Sequence, residues 1–232
     1  MKKSMSALLL SGSLFLAAGS AMAFDVGVGV KGGTQGLGGE LTFKLAESAN
    51  LRAHFNTFSY DKDLDKDGIQ YKANVDLSSY GLTLDWLPFK GGFRISAGAF
   101  SNGNEFNMKA HCTQTCDIGS NQYQSKPTDP GQVNAKVDFK SMAPYAGIGW
   151  GNAMRGGRFY MGLDLGVLFQ GSPQAHMTAS GTFIKTNAPT GELPANDPNF
   201  QTELKKEEKN LQDDLNSFKM YPVVNLGLGW RF

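Results

Sequence analysis

The chain has 232 residues, 41% of them hydrophobic, and a formal net charge of +1 at pH 7. Such a near-neutral charge excludes a broad electrostatic surface for nucleic acid, so no nucleic-acid partner is expected. The composition includes 29 glycines and 9 prolines, which favours strands and turns over helices. Collagen is excluded because the glycines have no fixed period, and a disordered chain is excluded by the hydrophobic content.

The first residues have the three parts of a secretory signal peptide. Lysines at 2–3 precede an apolar stretch at 7–18, and the small residues of 21–23 follow it. The stretch is shorter than the about 20 residues that a membrane-spanning helix needs. Mean hydropathy is −0.30, and we find no second long apolar segment, so helical spans are excluded. We predict that residues 1–23 are a signal peptide and that 24–232 form one exported domain.

Apolar and polar side chains then alternate with a period of two, which is the pattern of strands with two different faces. In chain order the alternating segments are 24–31, 37–45, 51–56, 80–86, 93–99, 142–150, 159–167 and 221–232. Connections are short at one end, whereas the other end has long loops at 60–68, 103–132 and 172–215. This layout is typical of bacterial outer-membrane barrels. We predict an all-β fold, an eight-stranded antiparallel transmembrane β-barrel with long extracellular loops, in the outer membrane of a Gram-negative bacterium.

The alternation changes phase at three places along the chain. These are near Thr57 and Phe58, near Ser78 and Ser79, and near Ser141. A single extra residue in a strand swaps its two faces. We therefore predict β-bulges at these places.

Five large aromatic residues lie on the apolar parity near the short-turn ends of their strands. They are Trp86, Phe93, Trp150, Phe159 and Trp230. Aromatic rings at one height form the interfacial girdle of a membrane barrel, in contact with outer-membrane lipid. The alternative is a secreted β-sandwich or lipocalin-like barrel with its apolar parity inward, which gives no reason for the alignment.

The last predicted strand ends on an aromatic residue, Phe232. We expect this strand to close the barrel against the first one, because an open strand edge has no hydrogen-bond partners in lipid. A terminal strand of this kind also resembles the signal by which the barrel assembly machinery recognises outer-membrane proteins.

The inward parity collects charges of both signs. They are Asp25, Lys31, Glu40, Lys44, Arg52, Asp85, Arg94, Asp164 and Arg231. An eight-stranded barrel is about wide enough for side chains to fill, and unpaired charges in such a space are costly, so we expect pairing across the lumen. Two alternatives stay open: an ion-paired plug, or a thin or gated polar path through space left by inward glycines.

The sequence DLDKDG places Asp63, Asp65 and Asp67 at alternate positions before a glycine. Calcium loops begin in this way. The twelfth position is Asn74 instead of Glu, and no helices are predicted beside it. The alternatives are a weak calcium site and an exposed acidic turn. No other cofactor is implied.

Cys112 and Cys116 are the only cysteines, and both lie in the long loop at 103–132. In an oxidising compartment they predict a disulfide, which would contribute roughly 2 kcal/mol through loop closure. The alternative is zinc bound by His111 together with the two cysteines.

The last long loop contains a helical pattern. Leu204, Leu211, Leu215 and Phe218 recur with helical spacing among charged residues. We predict a short amphipathic helix that packs on the barrel rim or on neighbouring loops, or that binds a partner.

His176 lies near Ser172 and Ser180, a combination that some lipid-modifying barrels use for catalysis. The chain has three histidines and many serines, so such proximity is expected by chance. We therefore predict that the protein is not an enzyme.

Four segments together resemble a known family. They are LTLDWLPFKGGFRISAG (82–98), APYAGIGWG (143–151), GVLFQGSPQAHMTASG (166–181) and KMYPVVNLGLGWRF (219–232). The sequence resembles small proteobacterial outer-membrane barrels that include the carbapenem-susceptibility porin CarO. The resemblance implies an eight-stranded barrel and slow passage of small solutes, including basic amino acids and some antibiotics. The outer loops, with the cysteine pair and the acidic turn, do not match that family, and solute choice would be set there.

Two functions from different classes remain. The first is a narrow or gated channel for passive uptake of small polar or cationic solutes, with Asp25, Glu40, Asp85 and Asp164 favouring cations. The second is a non-conducting structural or surface barrel that displays its loops for adhesion or partner binding.

Overall fold

The computed structural model describes residues 25–66, 69–112 and 114–232. The predicted signal peptide lies outside these residues, as does Asp67. Within the described residues, no helix is both long enough and apolar enough to cross a membrane.

The described chain consists of fifteen strands and one helix. In chain order they are β1 (Val26–Gly33), β2 (Gly36–Ala46), β3 (Ala49–Lys66), β4 (Ile69–Trp86), β5 (Phe93–Asn102), β6 (Glu105–Cys112), β7 (Cys116–Ile118), β8 (Asn121–Ser125), β9 (Gln132–Asp138), β10 (Met142–Trp150), β11 (Phe159–Leu168), β12 (Gln174–Ser180), β13 (Thr182–Lys185), β14 (Gly191–Pro194), α1 (Pro198–Leu215) and β15 (Tyr221–Arg231).

Eight of these strands close into one antiparallel ring, as predicted. The ring order is β1-β2-β3-β4-β5-β10-β11-β15, and β15 returns to β1. The closing pair runs in register from Gly27 opposite Arg231 to Gly33 opposite Asn225. Each barrel strand is therefore hydrogen-bonded on both sides, which is the condition for placing a sheet in lipid.

The β3–β4 hairpin continues beyond the barrel as part of a second layer of structure. The outer part of β4, Ile69–Asp76, pairs with β6, and β9 and β12 follow in the same sheet. We call the outer halves of β3 and β4, together with β6, β9 and β12, the extension sheet. It rises from the side of the barrel that carries the long connections.

The predicted bulges near Thr57, Phe58, Ser78 and Ser79 are wrong. Strands β3 and β4 pair without interruption from Ala49 opposite Trp86 to Lys66 opposite Ile69. Ser141 precedes the start of β10 and lies in no strand. A register shift does occur elsewhere, between Lys44 and Ala46 of β2.

The phase changes because the apolar face changes sides where the sheet leaves the membrane. In the barrel part of β4, the apolar residues point outward to lipid: Tyr80, Leu82, Leu84 and Trp86. In the extension, the apolar residues of β4 lie on the face continuous with the lumen: Ile69, Tyr71, Ala73, Val75 and Leu77. Water outside requires polar residues on the outer face there, so the pattern inverts without a bulge.

A second sheet and α1 cover the apolar face of the extension sheet at β6, β9, β12 and the outer end of β4, whereas β3 is exposed over 57–65. The second sheet has the order β14-β13-β8-β7. Asp197 caps the N-terminus of α1 by accepting hydrogen bonds from the backbone N–H groups of Asn199 and Phe200. The predicted helix is confirmed, but it begins at Pro198 and ends before Phe218. We call the extension sheet, the second sheet and α1 the cap.

The cap has a hydrophobic core of its own, separate from the barrel. Its fully buried members are Cys112, Cys116, Ile118, Tyr123, Val133, Phe183, Ala195, Phe200 and Leu204. The rings of Phe183 and Phe200 stack with centroids 4.4 Å apart, and Tyr123 meets Phe200 edge-on at 5.2 Å. The long loops therefore form one folded unit above the membrane.

Candidate functional site

The barrel lumen is centred on a buried arginine. Arg52, only 3% exposed, projects from β3 on the inward parity. Its guanidinium donates hydrogen bonds to Glu40 at 3.0 Å, to Asp85 at 3.0 Å and to both carboxylate oxygens of Asp164 at 3.1 Å. The planar fork of arginine suits such multiple carboxylate contacts.

Two further basic residues complete this charge layer. Arg94 Nη2 donates to Asp164 Oδ1 at 2.8 Å, and its Nη1 donates to the Gly151 carbonyl. Lys31 Nζ donates to His54 Nδ1 at 2.8 Å. The layer holds three basic residues, Lys31, Arg52 and Arg94, and three acidic residues, Glu40, Asp85 and Asp164. Its formal charge is therefore balanced.

A second, apolar layer fills the lumen on the extracellular side of the charge layer. Its members are Phe100, Ala143, Tyr145, Leu168 and Val223, all buried. The rings of Phe100 and Tyr145 meet edge-on with centroids 5.6 Å apart, and Phe100 also stacks on His54 at 5.3 Å. This layer was not among the predicted lumen residues, which were charges and glycines.

The inward glycines do not leave an open path. A Cβ atom on Gly166 would lie 2.5 Å from the Tyr145 hydroxyl, so the tyrosine ring occupies the space that the glycine provides. The ring of Tyr160 occupies the space beside Gly229 in the same way. The remaining cavity beside the charge layer has a volume of about 20 Å³, which is room for about one water molecule.

Three of the nine predicted lumen charges, Asp25, Lys44 and Arg231, lie at the short-turn end of the barrel, outside the charge layer. Lys44 lies between Asp25 at 3.7 Å and Glu47 at 2.7 Å. Arg231 donates hydrogen bonds to the Met154 and Gly156 carbonyls of the turn between β10 and β11. The structure thus brings six of the nine charges together.

Uncharged polar residues complete the lumen wall, and they were not among the predicted site residues. His54 Nε2 lies 2.8 Å from Thr83 Oγ1, and Asn56 donates to Ser79 Oγ at 3.1 Å. All four are buried. Their inward parity is the signal that identifies them.

The five aromatic residues predicted as a girdle all lie on the outward face at the short-turn end. Trp150 is directly opposite Phe93, with ring centroids 5.6 Å apart, and Phe159 is opposite Trp230. At the other end of the apolar band, Phe55 is opposite Tyr80, and both are exposed. This second aromatic pair was not predicted.

The cap contains the two cysteines as a disulfide between Cys112 and Cys116. Both are buried, at 3% and 5% exposure. The pairing leaves no thiolate for zinc, and His111 Nδ1 instead lies 2.9 Å from the Gly131 carbonyl. The disulfide therefore joins β6 to β7 inside the core of the cap.

Helix α1 holds the elements of the cap together through hydrogen bonds of its acidic side chains. Glu203 accepts hydrogen bonds from Lys206 Nζ and from the Ser120 backbone N–H, both at 2.7 Å. These two bonds lower the pKa of Glu203, the lysine contact having the larger effect. Glu208 accepts from the Met177 N–H at 2.6 Å, which covers the free edge of β12.

The acidic segment considered for calcium is an extended strand as far as the structure describes it. Asp63 and Asp65 lie exposed in β3, opposite Lys72 and Gln70 of β4. Among the described residues, no group of three or more His, Cys, Asp or Glu side chains is placed to hold a metal ion.

His176 lies exposed on the polar outer face of β12, opposite Lys136 of β9. Ser180 is at the far end of the same strand, and Ser172 precedes it. The structure does not bring these three residues together as a compact group.

A closed eight-stranded ring with an apolar outside and an ion-paired polar inside is a transmembrane β-barrel of the outer-membrane type. Its structure is similar to the crystal structure of Acinetobacter baumannii CarO2, with a TM-score of 0.59 and 19% sequence identity over 90% of this chain and 98% of that chain. The crystal structure of Acinetobacter baumannii CarO gives a TM-score of 0.58 and 18% identity over 92% and 100% of the two chains.

These similarities confirm the predicted likeness to CarO at the level of the fold. Comparison with protein-family models finds no match. Comparison with curated proteins finds none either.

Proposed function

We propose that this protein is a non-conducting outer-membrane barrel that holds an ordered cap at the cell surface, where the cap meets its partners. The observation that carries the proposal is the filled lumen. The charge layer around Arg52 and the apolar layer around Tyr145 lie in series across the barrel. A hydrated ion would have to displace both layers to pass.

The organisation of the cap supports the same proposal. A core of nine buried residues, a disulfide and a covered strand edge hold the long loops in one conformation. An ordered surface loses less conformational entropy on binding a partner than mobile loops do. The cap is therefore suited to adhesion or to partner binding.

Location and assembly belong to this proposal as well. We place the barrel in the outer membrane of a Gram-negative bacterium, after removal of residues 1–23. Assembly would use the last strand and Phe232 as the signal for the barrel assembly machinery. The aromatic residues at both ends of the apolar band fit a position across a bilayer.

A narrow channel for small polar or cationic solutes is the second candidate. The specific observation in its favour is the polar lumen wall, which includes the carboxylates of Glu40, Asp85 and Asp164. The resemblance to the carbapenem-susceptibility porin CarO also implies passage of small solutes. In this candidate, both lumen layers would move apart to open a path.

Single-channel recording in planar bilayers distinguishes the two functions. We expect the refolded wild-type barrel to be silent. A variant with Phe100→Ala and Tyr145→Ala removes the apolar layer, and its matched control, Phe55→Ala with Tyr80→Ala, removes the same ring types from the lipid-facing side.

Discrete conductance steps in the folded wild type would overturn the proposal and support the channel. Silence in the wild type with steps only in the lumen variant would support a barrel closed by the apolar layer. Silence in all three folded proteins would support it as well, with the charge layer as a sufficient barrier.

A further inference from the structure

A cavity of about 380 Å³ lies at the base of the cap, between the extension sheet, the end of α1 and the barrel rim. We call it the cap-base cavity. Its walls are formed by Phe106, Val137 and Phe139 on one side and by Pro173, Leu215 and Phe218 on the other. Tyr221 lines it next to the barrel and also packs against the apolar lumen layer.

The lining of this cavity is uncharged throughout. All nine described residues that line it are neutral, and only Asn104, Gln170 and Tyr221 carry polar side-chain groups. Asn104 Oδ1 accepts from the Ser78 N–H at 3.1 Å, and Gln170 Nε2 donates to the Phe218 carbonyl at 3.2 Å. The Tyr221 hydroxyl donates to the Thr34 carbonyl. An ionic ligand would lose its hydration here without gaining a charged partner.

Two phenylalanine rings in the wall of the cavity suit an aromatic occupant. Phe106 and Phe139 meet edge-on with ring centroids 5.7 Å apart, so they form a fixed corner with exposed ring faces and edges. Its volume of about 380 Å³ is in the range of small-molecule sites, and a dry apolar cavity of about 150 Å³ already holds benzene.

We propose that the cap-base cavity binds a neutral aromatic molecule of one or two rings. This site goes beyond the proposed function and does not depend on whether the barrel conducts. The occupant arrives from the aqueous side, because the cavity lies above the apolar lumen layer and not on the lipid-facing surface.

Methyl NMR of the full chain in lipid nanodiscs tests the proposal with toluene as the probe. The methyl groups of Val137 and Leu215 report on the cavity, and those of Leu82 report on the lipid-facing surface. We expect toluene to shift the cavity methyl signals to a saturating value. Benzylammonium has nearly the same shape but carries a charge, and we expect it to bind at least roughly tenfold more weakly.

A variant that fills the cavity with a tryptophan ring tests the site, and a second tryptophan variant serves as its matched control. Val137→Trp should abolish the saturating shift of Leu215. Ala73→Trp places the same ring on the same sheet face, opposite Met108 and away from the lining residues, and should preserve the shift. Unchanged signals elsewhere in the barrel would show that both variants fold.

Three results would overturn the proposal. The first is a shift of the cavity methyls that rises linearly with toluene, in parallel with Leu82, because that is simple partitioning. The second is equal binding of toluene and benzylammonium. The third is a nuclear Overhauser contact between lipid chains and Leu215, which would assign the cavity to an acyl chain.

Discussion

The guanidinium of Arg52 contacts carboxylates from three different strands: Glu40 of β2, Asp85 of β4 and Asp164 of β11. It therefore joins opposite walls of the barrel through one side chain. A buried charge is tolerated only where hydrogen bonds and opposite charges replace its hydration. Here the three carboxylates provide both.

Removing this arginine should be far more costly than removing a charge at the rim. We expect Arg52→Met to lower the free energy of unfolding by about 3–5 kcal/mol, since it leaves buried carboxylates unpaired. Lys44→Met removes a partly exposed, solvent-screened pair and should cost much less. Urea unfolding in lipid vesicles, followed by tryptophan fluorescence, measures both.

Equal losses in the two variants would contradict this role of Arg52. If Arg52→Met does not fold, Arg52→Lys provides the comparison. It retains the positive charge but not the planar fork, so we expect it to fold with a smaller loss of stability.

At this scale, the sequence predicts which side chains face inward but not what they touch. The alternation along β3 correctly places Arg52 in the lumen, because the period of a strand is local. The filling of Gly29 and Gly229 by Tyr160 joins β11 to β1 and β15, and it depends on barrel stagger. That long-range geometry is not encoded in any single segment.

The individual elements of the cap depend on one another for their burial. Strands β7 and β8 are only three and five residues long, and such short strands are marginal in isolation. Phe200 and Leu204 of α1 cover them, and the disulfide ties β7 to β6. Loss of one contact should therefore loosen the cap as a unit.

The disulfide should stabilise the cap without affecting the barrel. For the double variant Cys112→Ser and Cys116→Ser, we expect the cap to lose about 2 kcal/mol, as for closure of a short loop. Limited proteolysis should cut the cap at lower protease concentration, while the barrel stays protected in the membrane. Thr115→Ser, which changes an exposed side chain between the two cysteines, is the control.

Protection of the cap that is unchanged in the double variant would show that core packing alone holds β6 and β7 together. Cleavage that extends into the barrel strands would show that the two units are coupled.

At the scale of elements, the predicted strands, the helix and the disulfide are confirmed, whereas the bulges are wrong. The phase change at Ser78–Ser79 is a real signal, but its cause is the passage from lipid to water. The outer strands of the extension sheet lie in segments predicted as loops. Over 57–65 of β3 both faces are exposed, so alternation gives no signal of a strand there.

The whole molecule is divided by its polarity into three zones: an aromatic girdle, an apolar band and the water-facing cap. On β4, the distance along the strand from Trp86 to Tyr80 is about 20 Å at the usual rise per residue. This is close to the apolar height of about 25 Å found in outer-membrane barrels. The cap is then entirely outside the hydrocarbon.

The three tryptophans should report one shallow depth in the bilayer. In vesicles, we expect lipids brominated near the headgroup to quench the fluorescence of Trp86, Trp150 and Trp230 more than lipids brominated deep in the chain. A control with all three replaced by Phe and with Leu82→Trp should show the opposite order, because Leu82 lies within the apolar band.

Stronger quenching of the wild type by the deep bromines would contradict the placement of the girdle. Equal quenching by the two lipids would also contradict it, since it would mean that the three rings lie at different depths.

The uninterrupted β3–β4 hairpin has a mechanical consequence. Each strand is 18 residues long, or about 60 Å at the usual rise. The same two strands that form the tip of the cap carry Arg52, His54 and Asp85 in the lumen. The hairpin thus continues without a break from the cap to the lumen. A force that tilts its outer end is therefore transmitted to the charge layer within the membrane.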